Sequence, residues 1–438
     1  MTDKLPTTPP TGMRDVLPDE VELRDLATQT IVRIYRSYGF RRIETPALEH
    51  LRLLTSGEGG ENEKLIFKVM KRGEELKTAL ERGADELADL GLRFDLTVPL
   101  ARYYAHNHAR LPNPLKALQI GPVWRAERPQ KGRFRQFTQC DIDVLGLGDP
   151  IVEVELILAT SEALAALSLS GLTVRINDRR VLAGIARACG FGDDRQGSFF
   201  ITFDKLDKIG RGGVIQELGA TGHEAAAVSK FESMLDAIDP KTATLDSVLK
   251  AIASGDPDVA AGAAALDAII AAVTGALPVG SAVRFDPRLV RGMGYYTGPI
   301  FEISAADYPS SIAGGGRYDR MIGRMLGRDV PASGFSIGFE RLISILEGLP
   351  SARVSVATAT GERVALVVDA GAADLAAPVR VAQRLRRDGL LVSLEVRRKN
   401  WKRQADELAA HGFAGWVSYN DGEPWRVRSL ARPDGGTR

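Results

Sequence analysis

Apolar positions recur along the chain with two periods, and the switches between them lay out its elements. Over residues 19–38, Leu23, Ala27, Ile31, Ile34 and Tyr38 fall on one face at helical spacing. A turn at 11–18 precedes this helix, and residues 39–46 open a strand after it. Residues 65–69 predict a short strand, and 92–100 a strand running into a helix that starts near Pro99. Between Gly121 and Gly146 an apolar run ends at Trp124, a Pro129-Gln130-Lys131-Gly132 turn breaks it, and alternation from Arg133 to Leu145 follows, the pattern of a long antiparallel hairpin. Residues 151–169 read as an Ala/Leu-rich helix and 172–177 as a strand of the same sheet. From 180 to about 277 the period stays helical, with breaks at Gly190-Phe191-Gly192 and Gly210-Arg211-Gly212-Gly213. Residues 283–302 read as two strands joined through a glycine-rich turn, in the simplest case a hairpin, and 334–342 as a strand entering a helix. A stretch with Pro350, Ser351 and several Thr, residues 347–361, reads as a linker. Beyond it strands at 363–369, 390–396 and 414–419 alternate with helices at 372–388 and 401–411, the order of a small α/β domain with parallel pairing.

Composition narrows the class. At 438 residues the chain exceeds what one core fills, so two or three domains are expected. With 44% hydrophobic and 26% charged residues it falls among soluble globular proteins. The formal charge is +1, from 57 basic and 56 acidic residues, so any nucleic-acid contact must rest on local patches. The first twenty residues hold no apolar core for a signal peptide, and no apolar run is long enough to span a bilayer, so a cytoplasmic protein without a membrane partner is expected. Cys140 and Cys189 stand far apart without CxxC or Cys/His spacing, which argues against a zinc site or a disulfide scaffold.

Four stretches carry candidate chemistry. Arg125, Arg128, Lys131, Arg133 and Arg135 crowd the hairpin loop, and guanidinium forks suit bidentate grip of phosphate oxygens; the bland alternative is a solvated basic hairpin. Asp95 and Thr97 together make a clamp for a cation, or else a surface acid and a helix cap. Glycines at 314–316, 334 and 338 permit the close backbone approach that a pocket floor needs. The run Arg397-Arg398-Lys399-Asn400-Trp401-Lys402-Arg403 combines cations with an aromatic, which suits single-stranded RNA.

These residues resemble a known family. Arg125, Glu127, the loop Pro129 to Arg133, Gln139 and Asp143 resemble the second signature motif of class II aminoacyl-tRNA synthetases, in the form used by histidyl-tRNA synthetases. The helix over 19–38 with its following strand resembles the first motif, which in that family forms the dimer interface. Arg93 to Thr97 resembles the family's Arg-x-Asp-Leu-Thr segment. Arg291 to Gly298, with Tyr295 and Tyr296, resembles a segment peculiar to histidyl-tRNA synthetases, with Gly294 standing where Asp is usual. Residues 313–319, with Tyr318, resemble the second histidine-specific segment. Gly334 to Leu342, with Arg341, resembles the third class II motif, and the C-terminal α/β unit resembles the anticodon-binding domain.

The resemblance implies an α+β catalytic domain, an antiparallel sheet flanked by helices, over residues 1–350, with a helical insertion at about 180–277. A linker at 351–362 and an anticodon-binding-like α/β domain at 363–438 complete the chain. It implies a histidine–tRNA ligase that activates L-histidine with ATP and Mg²⁺ and passes it to the 3′ end of tRNA(His), acting as a homodimer. Arg125 and Arg291 would be catalytic, flanking the α-phosphate. Glu127, Arg133 and Arg341 would complete the ATP site. Asp95, Thr97 and Gln139 would hold the backbone end of histidine, Asp143 and Tyr296 its imidazole, with Tyr295 and Tyr318 in the same pocket. A regulatory relative, the ATP phosphoribosyltransferase regulatory subunit, and a synthetase-derived ligase acting on something other than tRNA stay as alternatives.

Overall fold

The computed structural model describes residues 5–56, 64–128, 134–253, 255–291, 295–306, 308–348, 363–371, 374–410, 413–421 and 425–430. Arg133, Gly294 and the linker at 351–362 lie outside them.

Helix α1 (Pro18–Ser37) opens with proline in its first turn and buries the Ala27, Ile31, Tyr35 and Tyr38 side of its stripe. After it come β1 (Arg41–Arg42), β2 (Leu48–His50), α2 (Leu51–Leu54), β3 (Lys68–Met70), α3 (Gly73–Arg82) and β4 (Ala88–Leu92). Strands β2, β4 and β3 form a small antiparallel sheet of their own. Helix α4 (Thr97–Asn107) leads to the expected hairpin, β5 (Leu115–Trp124) and β6 (Gln136–Leu145), paired from Leu115↔Leu145 to Trp124↔Gln136. Helix α5 (Ile151–Ala166) and β7 (Thr173–Asp178) follow. The helical stretch then holds α6 (Arg179–Cys189), α7 (Gln196–Phe203), α8 (Leu206–Ala220), α9 (Ala225–Ala237), α10 (Leu245–Ile252) and α11 (Pro257–Val273). Its two glycine breaks are real: Gly190 closes α6 in the left-handed region, and Gly210 kinks α8.

Strands β8 (Ala282–Phe285), β9 (Pro299–Ala305) and β10 (Tyr308–Arg317), helix α12 (Gly323–Leu326), β11 (Ala332–Gly338) and α13 (Phe339–Glu347) complete the main sheet. Its strand order is β1-β5-β6-β11-β10-β9-β7-β8, antiparallel from β5 to β7 and parallel at both outer pairs. The hairpin reading of residues 283–302 is therefore corrected: β8 and β9 lie on opposite edges of β7, one parallel and one antiparallel to it. Period-2 alternation divides β6 between two environments. Cys140, Ile142 and Val144 point into the core with α1 and α5, while Gln139, Asp141 and Asp143 face the other way. Helix α5 is buried on nearly every side, and its two fully buried acids survive there because each meets a cation, Glu153 with Arg317 and Glu155 with Lys116 at 2.8 and 2.7 Å.

The last unit contains β12 (Arg363–Val368), α14 (Ala376–Arg387), β13 (Leu391–Val396), α15 (Trp401–Ala410), β14 (Gly415–Ser418) and β15 (Arg428–Ser429). Parallel pairing of β13, β12 and β14 matches the alternation in the sequence, and the antiparallel edge strand β15 is additional. Strand β12 is apolar on both faces for a reason: Val364 and Leu366 join the main core, whereas Ala365 and Val367 pack under α15. Polar contacts add to this apolar packing at the seam with the main sheet. Lys116 Nζ donates to Ser393 Oγ (2.7 Å) and to the Leu394 carbonyl (3.1 Å), and the Arg386 guanidinium lies 3.4 Å over the Tyr38 ring.

Candidate active site

A cavity of about 620 Å³ opens on the polar face of β6. Its floor follows from register. Across the sheet Asp143 sits beside Gly334 and Asp141 beside Ser336, and on the next strand Gly316 and Gly314 continue the two rows. Cross-strand partners share a face, so small residues opposite the acids leave the space above them open. A Cβ at Gly334 would overlap the Asp143 carboxylate, and one at Gly314 would overlap the Arg291 guanidinium.

Asp95, Thr97, Arg125, Glu127, Gln139, Asp143, Arg291, Tyr295, Tyr296, Tyr318 and Arg341 all line this one cavity, although they come from segments more than two hundred residues apart. Asp95 sits just before α4, where its Oδ1 accepts from the Val98 N–H at 3.1 Å. The capping acceptor is thus Asp95, and Thr97, the cap on the bland sequence reading, is the first helical residue and lines the cavity. Burial pushes the Asp95 carboxyl up to about 6, against the pull of the Val98 N–H and of Arg125. The Tyr318 hydroxyl donates to Asp143 Oδ1 at 2.5 Å. Burial and the neighbouring Asp141 hold the Asp143 carboxyl well above the usual carboxylate range. Tyr295 stacks obliquely on Tyr296 at 4.7 Å and meets Tyr318 edge-on at 5.9 Å, which makes an aromatic wall.

Cations line the same cavity. Arg125, one residue past the end of β5, is anchored by Nε to the Phe94 carbonyl at 3.0 Å and lies 5.0 Å over the Phe137 ring. Arg291 pairs with Glu302 at 2.5 Å, and Glu302 is itself fixed by Arg175 at 2.6 Å. In the first turn of α13, Arg341 donates to the Ser311 carbonyl at 2.6 Å. Acids and guanidiniums thus face one shared space. It fits a ligand with a cationic end beside a polyanion.

Sequence reasoning passed over two contributors. Asp141 occupies the same face of β6 as Gln139 and Asp143, and the two-residue period alone places it there. Burial, then the charge of Asp95, push its carboxyl up to about 7, while the Ser336 hydroxyl and Arg125 pull the other way. Glu340 lines the cavity beside Arg341 and accepts from Arg24 on α1 twice at 2.8 Å and from the Thr138 N–H at 3.1 Å. Burial opposes its ionisation, yet these donors hold it below the usual range. No local signal reveals this pairing, which joins residues 316 positions apart.

Residues 12–342 match the protein family described as Histidyl-tRNA synthetase. Over 422 residues the chain is 47% identical to the histidine–tRNA ligase of Leifsonia xyli subsp. xyli, covering 94% of this chain and 95% of that one. It is 46% identical over 346 residues to the probable histidine–tRNA ligase of Tropheryma whipplei (strain Twist), covering 77% and 80%. Among solved structures it resembles the histidyl-tRNA synthetase from Nostoc sp. PCC 7120, with a TM-score of 0.66 at 28% identity over 94% of this chain and 91% of that one.

Proposed function

Since the chain belongs to the histidyl-tRNA synthetase family, we propose from that premise how its own residues divide the work. The protein is a histidine–tRNA ligase: it charges tRNA with histidine, and ATP is the substrate expected of the family. The histidine carboxylate attacks the α-phosphorus, a new C–O–P linkage forms, and the bond to pyrophosphate breaks. The terminal adenosine of tRNA then attacks the acyl carbon and AMP leaves.

In our reading Arg125 and Arg291 flank the α-phosphate, where negative charge builds in the first step. Both are anchored through other atoms, by Phe94 and Glu302, so their charge is in place before reaction and needs no reorganisation. Glu127 takes the adenine side, and Arg341 the outer phosphates together with Arg133. Asp95, Thr97 and Gln139 hold the backbone end of histidine. Asp143, oriented by Tyr318, and Tyr296 read the two imidazole nitrogens, so analogues lacking them leave buried groups unpaired. Among the described residues no group of three or more His, Cys, Asp or Glu side chains gathers as a metal site. Mg²⁺, when bound, would supply positive charge to the outer phosphates beside Arg341.

Residues 1–350 would form the catalytic domain, with the insertion at about 180–277, and 363–438 the part that selects tRNA. Within its basic run Arg398 and Arg403 share the single carboxylate of Glu407, at 2.6 and 3.0 Å, and keep one positive charge between them, while Arg397, Lys399 and Lys402 are offered to phosphate in full. Exposed Leu17, Val21, Leu48 and Met70, around α1 and the small sheet, accord with a homodimer interface. No described helix is long and apolar enough to cross a membrane, and a cytoplasmic site belongs to the same reading. The observation that carries the proposal is that one cavity gathers the buried carboxylates Asp95 and Asp143 with the guanidiniums Arg125, Arg291 and Arg341. Histidine-dependent exchange of pyrophosphate into ATP, beside a charging assay on tRNA(His), tests it. Exchange that depends on another amino acid, or charging that survives loss of Arg125 and Arg291, would overturn it.

A further inference from the structure

The division of labour above leaves one group of the cavity unused. Asp141 is 3% exposed, and its Oδ2 accepts from Gln139 Nε2 at 3.2 Å. Its Oδ1 has no partner among the described residues, and neither has Asp95 Oδ2 or Asp143 Oδ2. All three carboxylates are at least 97% buried by the same measure, and all three line the cavity. These oxygens need donors, and since all three carboxylates line one open cavity, the N–H groups of a ligand can supply them.

Counting donors assigns them. Histidine brings three N–H on its α-ammonium and at most two on its ring. Asp143 shares its other oxygen with Tyr318, and through that bond belongs to the ring end. Asp95 spends one oxygen on the Val98 N–H, which leaves it a single acceptor for the ammonium. The charge of Asp141 bears on Asp143 as well as on Asp95, so charge alone does not assign it; its hydrogen bond to Gln139, which serves the backbone end, does.

We infer that Asp141 is a second carboxylate of the α-ammonium clamp, accepting one N–H on Oδ1 across from Asp95 Oδ2 and leaving Asp143 to read the ring. The inference rests on the reading of this cavity as the histidine site. It makes Asp141 a specificity residue: two carboxylates against one ammonium reject molecules that carry the imidazole without the amine.

Calorimetric titration of the full-length protein with histidine, histidinol, which keeps the ammonium but lacks the carboxylate, and 3-(imidazol-4-yl)propionate, which lacks the ammonium, tests it. In Asp141→Asn, affinity for histidine and histidinol should fall about tenfold to a hundredfold while the propionate changes by less than about twofold, the loss expected for one charged hydrogen bond. In pyrophosphate exchange the same variant should raise KM for histidine with little change in kcat, because the clamp is made alike before and during reaction. Equal weakening of all three ligands would move Asp141 to the ring end and overturn the inference, and so would unchanged affinity. If Asp141→Asn does not fold, Asp141→Ser, no larger than the facing Ser336, is read by the same ratio. A parent protein that binds neither histidine nor histidinol would overturn the reading of the whole site, and the inference with it.

Discussion

The stacked acids make stability of the empty protein depend on pH in a defined direction. Asp95 and Asp141 titrate at about 6 and about 7 in the folded chain, against an ordinary value of 3.8. Between pH 4 and 7 the folded state therefore holds more protons than the unfolded one. Stability falls as pH rises through that window, is fully retained below the unfolded value, and is lost above the folded one. At about 1.4 kcal/mol per unit, the cost at pH 8 is about 3 kcal/mol for Asp95 and about 4 kcal/mol for Asp141. Asp141→Asn removes the second cost and lightens the first, since the charge of Asp141 also bears on Asp95. Thermal midpoints of parent and variant, measured without ligand from pH 4 to 8, should nearly coincide at the acid end and separate until the gap levels off near pH 7, the variant then being the more stable by about 4 kcal/mol. Saturating histidine should narrow the gap, because its ammonium repays the ionised pair. A difference that stays flat across this range, or a variant that loses ground as pH rises, would refute the reasoning.

Three further outcomes follow from the geometry. Arg125→Gln and Arg291→Gln should each lower kcat for pyrophosphate exchange by about a hundredfold or more while moving KM for histidine much less, as when a contact made mainly in the transition state is lost; unchanged turnover in a folded variant would remove the residue from that role. Gly334→Ala drives a methyl into the Asp143 carboxylate, so calorimetry should show histidine affinity falling by about tenfold or more, in line with overpacking costs of about 1–3 kcal/mol, with the fold retained by circular dichroism. Replacing Arg397, Lys399 and Lys402 by Ala should weaken tRNA binding and flatten its dependence on salt by up to about three counterions, whereas replacing Arg398 and Arg403, which share Glu407 and carry one net charge between them, should flatten it by about one; filter binding over a salt series distinguishes the two sets.

What was legible in the chain was whatever is encoded locally. The β5–β6 hairpin shows as alternation on either side of a turn, and the C-terminal α/β unit as strand and helix in strict rotation. Asp141 was legible too, because it shares the parity of Gln139 and Asp143, but a motif match selects residues one at a time and passes over the position between them. Pairing at a distance leaves no such trace. Strands β8 and β9 are close in sequence and read as a hairpin, yet β7, laid down more than a hundred residues earlier, separates them. Glu155 has the sequence context of an ordinary helix-surface acid until Lys116 and the last domain close over it. A helix cap can come from more than one side chain, which is why Thr97 took the role on paper and Asp95 holds it in the fold.

Strand β5 has two ends with different attachments. Near its start Lys116 is buried among Glu155, Ser393 and Leu394, so the C-terminal domain grips it there. One residue past its finish stands Arg125, about 30 Å away at the rise of an extended strand. Continuous pairing with β6 lets that length move only as a unit. The seat of the C-terminal unit and the position of Arg125 are thus tied through one paired strand. If residues 363–438 select tRNA and Arg125 serves activation, as proposed, any coupling carried along this strand acts equally in both directions: by whatever factor tRNA alters the grip on histidine, histidine alters the grip on tRNA.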